Sequence, residues 1–129
     1  LGKGRRTKEQ ARFYYRLGAI AEQAQDLAGA VKQYEDAYRI DTAHTATLAA
    51  LGRLYFDQQD WEKARRIYRS MLLQNLDERA GVTKADVYHK LGLIHARLGE
   101  NPKARNMYER GLELDGGHAG LKEALAALK

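Results

Sequence analysis

Residues 48–68 read LAALGRLYFDQQDWEKARRIY, and the same frame recurs at 14–34 (YYRLGAIAEQAQDLAGAVKQY) and at 88–108 (YHKLGLIHARLGENPKARNMY). A Leu-Gly pair stands at 17–18, 51–52 and 91–92. An alanine follows each glycine by twelve residues (Ala30, Ala64, Ala104), and a tyrosine follows that alanine by four (Tyr34, Tyr68, Tyr108). Three copies in phase, the first two 34 residues apart and the third 40 further on, mark a tandem repeat. Tyr14, Leu17, Gly18 and Ala21 stand at i, i+3, i+4 and i+7, which is one stripe of a helix. Leu48, Leu51, Gly52 and Tyr55 repeat that stripe, as do Tyr88, Leu91, Gly92 and His95. A second apolar stripe follows in each copy: Ala30, Tyr34 and Ala37; Ala64, Tyr68 and Met71; Ala104, Tyr108 and Gly111. Each copy therefore reads as a helical hairpin, its small residues letting two backbones approach while Leu and Tyr fill the space between turns.

Working outward, Thr7-Lys8-Glu9-Gln10 has the form of a capping box, and Thr83-Lys84-Ala85-Asp86 resembles it. Asn101-Pro102 reads as an N-cap with proline at the first helical position, and Asp26 and Asp60 occupy the equivalent turns. These signals predict helices near 8–24, 27–40, 44–58, 61–78, 84–98, 102–114 and 118–128. The helix over 61–78 is expected to run long because Tyr68, Leu72, Leu76 and Ala80 continue one face and Gly81 stops it. The extra six residues between Asn75 and Asp86 read as a tolerated extension, the alternative being a projection that touches a partner.

The divisions expected are a basic amino-terminal arm and helix start at 1–10, repeats at 11–44, 45–84 and 85–118, and a covering helix at 119–129. With 129 residues there is room for one domain or one short stack. A single proline, Pro102, and 44% hydrophobic residues fit an all-helical core. There is no cysteine, which excludes disulfides and thiolate zinc sites, and no apolar run of the roughly 20 residues a membrane span requires. The missing initiator Met reads as a piece excised from a larger protein. Nothing gives a cellular address beyond a lean towards the cytoplasm.

The Leu-Gly, Ala and Tyr positions over residues 11–118 resemble the tetratricopeptide repeat (TPR) family. The chain departs from the family's pattern at its closing proline (Thr42, Leu76, Gly116), its first-helix aromatic (Ala21, His95) and its second alanine (Met71, Gly111). The resemblance implies an all-α, right-handed superhelical stack of three hairpins with a covering carboxy-terminal helix, and a role in protein–protein binding rather than catalysis.

In such a stack the face of each first helix opposite the Leu-Gly stripe points into the concave side. At 100° per residue from Tyr14, positions 12, 15, 16, 19, 22 and 23 lie between about 80° and 200°, away from the core. Their counterparts are Ala46, Ala49, Ala50, Arg53, Phe56 and Asp57 in the second repeat, and Asp86, His89, Lys90, Leu93, Ala96 and Arg97 in the third. The expected partner site is Arg12, Tyr15, Arg16, Arg53, Phe56, His89, Lys90 and Arg97. It forms a groove basic in balance, floored by alanine and bearing two exposed aromatics, suited to a segment with acidic and hydrophobic side chains.

Family members that clamp the carboxylate of chaperone tails use Lys, Asn and Arg at these positions. Here Tyr15, Ala19 and Ala50 stand instead and only Lys90 is conservative, which weighs against that ligand. The four histidines share no metal spacing, and His95 falls on the core stripe as a packed histidine. No phosphate loop or nucleophile motif occurs, so no metal, cofactor or enzymatic activity is expected. Two rival readings are kept. RNA binding is suggested by the net charge of +5, the cluster Lys3, Arg5, Arg6 and Lys8 and the outer stripe Arg65, Arg66 and Arg69; the other rival is self-association as an assembly module.

Overall fold

A computed structural model describes residues 2–129, with side chains from residue 4 onward. Its helices are α1 (Gly2–Gln23), α2 (Leu27–Ile40), α3 (Thr45–Asp57), α4 (Trp61–Leu72), α5 (Lys84–Arg97), α6 (Asn101–Leu114) and α7 (Ala119–Ala127), with one 3₁₀ turn at Glu78–Ala80 and no strand among the described residues. α1 packs on α2, α3 on α4 and α5 on α6 as three hairpins. α2 meets α3 and α4 meets α5 to join them, and α7 lies across α6 and α5. This is the all-α superhelical stack that the repeat implied.

The glycine of each Leu-Gly pair sets the hairpin. A Cβ on Gly18 would lie 2.6 Å from the Tyr34 ring and one on Gly52 2.7 Å from Tyr68, and at Gly92 it would collide with Tyr108. Each tyrosine lies flat in the space the missing side chain leaves, at 4% exposure or less. The helices of each hairpin are joined by one turn used three times, with Gln25, Gln59 and Gly99 in the left-handed region. Asp26 and Asp60 then accept the N–H of Gly29 at 3.0 Å and of Lys63 at 3.3 Å, satisfying donors at the open start of α2 and α4.

Three boundaries differ from the sequence expectation. α1 runs unbroken from Gly2, so Thr7 lies inside the helix and residues 2–10 of the expected arm and helix start are helical, while Leu1 lies outside the described residues. The cap of α6 is Glu100, one residue before Asn101, with Pro102 still in the first turn. α4 ends at Leu72, not at 78. The chain crosses at once to the α2–α3 turn and the start of α3, where the Gln74 side-chain amide donates to the Thr42 carbonyl at 3.2 Å and the Asp77 N–H donates to Thr45 Oγ1 at 3.0 Å. Leu76 and Val82 still reach the core, but from this loop. The capping box at Thr83 forms as expected, with Asp86 as its second member.

Candidate functional site

The inward faces of α1, α3 and α5 enclose a cleft of about 540 Å³. Ala46, Ala49 and Ala50 floor it. Tyr15, Ala19, Glu22 and Gln23 form one wall, Asp86 and Lys90 the other, and Arg53 stands on α3 between them. Small side chains on α3 open the space because α1 and α5 flank that helix on either side. The inserted loop contributes Ala80, Gly81 and Val82 to the lining. Sequence reasoning missed those three, since their reach towards the cleft depends on the hydrogen bonds to α3 and on no local pattern.

Of the eight residues expected to act together, Tyr15, Arg53 and Lys90 line the cleft; Arg12, Arg16, Phe56, His89 and Arg97 are outside its lining. The two aromatics are not free to the solvent. Tyr15 packs on Tyr34 and edge-on to His44, with ring centres 5.5 and 5.2 Å apart. Phe56 packs edge-on to Trp61 at 5.2 Å and receives the Lys90 ammonium 4.4 Å above its face. Both fold back onto neighbouring elements and are half-buried. His89 likewise turns towards Tyr108 and His118, and burial, with help from the charges of His118 and Lys90, holds its pKa below the usual imidazole value.

The electrostatics are more balanced than the residue count suggested. Arg53 makes two hydrogen bonds of 2.8 Å to the Glu22 carboxylate, which also accepts from the Tyr34 hydroxyl at 2.7 Å. The Arg53 bond is the main reason the Glu22 pKa lies below the usual carboxylate range, against the opposing effect of burial. The Tyr34 hydroxyl is pushed up, chiefly by burial and then by its bond to Glu22. Asp86 is pushed up by burial, but more than offset by bonds from Thr83 and His118, so it stays ionised and partnered. Among the described residues no carboxylate lies within ion-pair distance of Arg12, Arg16, Lys90 or Arg97, whereas Arg65 on the outer face is held by Glu62 at 2.7 Å. The cleft thus offers an apolar floor, one internally neutralised Arg–Glu pair and, in Lys90, one cation without a carboxylate partner.

No group of three or more His, Asp or Glu suited to a metal ion occurs among the described residues. No helix among them is long and apolar enough to cross a membrane. His95 is packed as expected, with Nδ1 2.9 Å from Glu100.

Tetratricopeptide repeat family models match residues 43–116 and 4–44. The photosystem I assembly protein Ycf3 of Synechococcus sp. (strain CC9605) is 28% identical over 113 residues, a match that spans 84% of this chain but only 65% of that protein. The TPR domain of Arabidopsis OM64 superposes with a TM-score of 0.78 at 16% identity, covering 95% of this chain and 97% of that one. The second TPR domain of human RPAP3, solved with the HSP70 peptide SGPTIEEVD, gives 0.75 at 20% identity, covering 93% and 95%. The repeat frame, the stack built on it and the family match agree: the chain belongs to the tetratricopeptide repeat family.

Proposed function

We propose that this chain is a protein-binding module whose concave cleft takes a partner segment bearing apolar anchors flanked by acidic side chains. The observation that carries the reading is the alanine floor on α3 with Lys90 in the cleft wall, while Arg12 and Arg16, outside the lining, are exposed on α1, the helix that supplies the opposite wall. Apolar side chains would displace water from the floor, while the cations would steer an acidic segment and fix its register. That a structural neighbour takes the acidic peptide SGPTIEEVD supports the general mode. Tyr15, Ala19 and Ala50 argue against the same carboxylate clamp here. Assembly work of the kind the Ycf3 relative's name describes is one setting in which such a module would serve.

The test is fluorescence anisotropy with a labelled peptide alternating Glu with Val and Leu, compared with its Lys-for-Glu counterpart. Only the acidic peptide should bind. Arg16→Glu with Lys90→Glu should weaken it about tenfold or more and flatten its salt dependence, about 1.4 kcal/mol or more. Ala49→Phe should block the floor. Charge reversal at Arg65, Arg66 and Arg69 serves as the control, and a labelled RNA strand tests the rival reading. If the outer reversals abolish binding and the cleft changes leave it intact, the cleft is not the site.

A further inference from the structure

Tyr34, Tyr68 and Tyr108 share one register position, but their hydroxyls are used differently. In the first repeat the Tyr34 hydroxyl is spent, because it donates to Glu22 at 2.7 Å. The register equivalents of Glu22 are Phe56 in the second repeat and Ala96 in the third, and neither side chain holds an acceptor. The Tyr68 hydroxyl accordingly makes no hydrogen bond to another described residue, although Tyr68 lines the cleft. Its ring is 4% exposed and seated on Gly52, where a Cβ would lie 2.7 Å from Tyr68 Cζ, so the hydroxyl end is held near Arg53, the next residue along α3. Burial, and then the charge of Asp57, push the Tyr68 pKa up against the pull of Arg53. The hydroxyl keeps its proton and can donate it.

Arg53 has donors to spare as well. A guanidinium carries five N–H donors, and Arg53 spends one from each terminal nitrogen on Glu22, both at 2.8 Å. The remaining donors have no acceptor among the described residues, and the Arg53 side chain is 48% exposed against 21% for Glu22. The charge at this point is already balanced. A partner carboxylate brought to Arg53 would stand beside the Glu22 carboxylate, within the field of Asp57, and like charges in a half-buried site repel. A partner ammonium would meet Arg53 itself. An uncharged carbonyl oxygen meets neither penalty and has two lone pairs to offer the unspent donors.

We infer that Arg53 and Tyr68 form a subsite of the cleft for an uncharged carbonyl oxygen of the bound segment, from a side-chain amide or the main chain, and that Glu22 sets this preference by neutralising Arg53. The inference rests on the cleft reading and refines it. Acidic side chains of the segment pair with Lys90, while the position at Arg53 is neutral.

Fluorescence anisotropy with the Glu–Val–Leu peptide, each Glu exchanged in turn for Gln and for Leu, tests this. At one position Gln should bind the native chain about fivefold tighter than Glu, and Glu22→Gln should invert that preference with helix content unchanged. Gln tighter than Leu at that position would assign the oxygen to a side-chain amide, and Gln equal to Leu would assign it to the main chain. Tyr68→Phe keeps the ring on Gly52 and should weaken the Gln peptide about fivefold, whereas Tyr108→Phe, outside the cleft lining, should leave it unchanged. Glu preferred by the native chain at every position, a Glu22→Gln profile identical to the native one, or equal affinities for Tyr68→Phe and Tyr108→Phe would overturn the inference and leave the cleft reading standing. Failure of every peptide to bind would overturn the cleft reading, and this subsite with it.

Discussion

The two ends of the stack meet the same problem with different chemistry. At the carboxyl end α7 is fitted by three separate contacts. Leu121 is fully buried where Gly111 stands in place of the Ala37 and Met71 of the other repeats, and a Cβ at 111 would lie 2.6 Å from Leu121 Cδ1. Gly120 lets His89 approach, since a Cβ there would stand 2.6 Å from the imidazole. His118 bonds Asp86 through Nε2 at 2.7 Å while its Nδ1 accepts the Leu121 N–H at 3.1 Å, capping α7. Those two bonds set the tautomer: the proton sits on Nε2 and is donated to Asp86. At the amino end Phe13 and Ile20 face outward with no comparable cover. Glycines at 111 and 120 that admit a neighbouring side chain thus mark the end covered by α7, whereas Phe13 and Ile20 have no such fitted neighbour.

The largest effect should separate the two ends. Leu121→Ala should cost about 2–5 kcal/mol in denaturant unfolding, because it empties a buried site, whereas Phe13→Ala on the exposed face should cost under about 1 kcal/mol. Equal losses would break the comparison. Deleting residues 118–129 should cost at least as much as Leu121→Ala and expose the surface around Tyr108 and Leu112, read as association in light scattering.

Acid should then loosen the closed end. The folded pKa of His89 lies below its ordinary 6.5, so the folded chain favours the neutral ring. Its contribution is complete above about pH 6.5 and is lost as pH falls from there towards the lower folded value. His44, depressed by burial at the turn between the first two repeats, acts with the same sign, so His89→Gln should remove only part of the slope. Thermal melts between pH 7 and 5 would show it. A slope unchanged in His89→Gln would mean that His89 plays no part. Glu22 and Asp86, both held below their ordinary values, add a separate loss only at more acidic pH.

The smallest effect should not distinguish the ends at all. Gln25 and Gln59 each hold φ at 61°, where Gly99 stands in the third repeat. Gln25→Gly and Gln59→Gly should each stabilise by about 0.5–1 kcal/mol, measured by denaturant midpoint. Unequal gains would mean that the first repeat differs from the second in more than its outer face.

The frame was legible because Leu-Gly, Ala and Tyr recur at spacings that only a hairpin of close-packed helices satisfies. The inward direction of Ala46, Ala49, Ala50, Arg53 and Lys90 followed from the same phase. What the phase could not carry was contact across elements. Tyr15 and Phe56 point to the expected side, but their rings turn onto His44 and Trp61, and Arg53 is taken up by Glu22 from another helix. The run Tyr68, Leu72, Leu76, Ala80 looked helical because loop residues can fill a core at helical spacing while their backbone bonds to α3. Thr7 looked like a cap because the pattern records what a residue can do, and the helix continues through it.

The most direct test of the cleft is a backbone amide NMR titration with the acidic Glu–Val–Leu peptide. The account predicts shifts concentrated at Ala46, Ala49, Ala50, Gly81, Val82 and Lys90, with α4 and α6 outer residues such as Arg66 and Arg105 unmoved. Shifts confined to the outer helices, or no shifts in the cleft at saturating peptide, would contradict it.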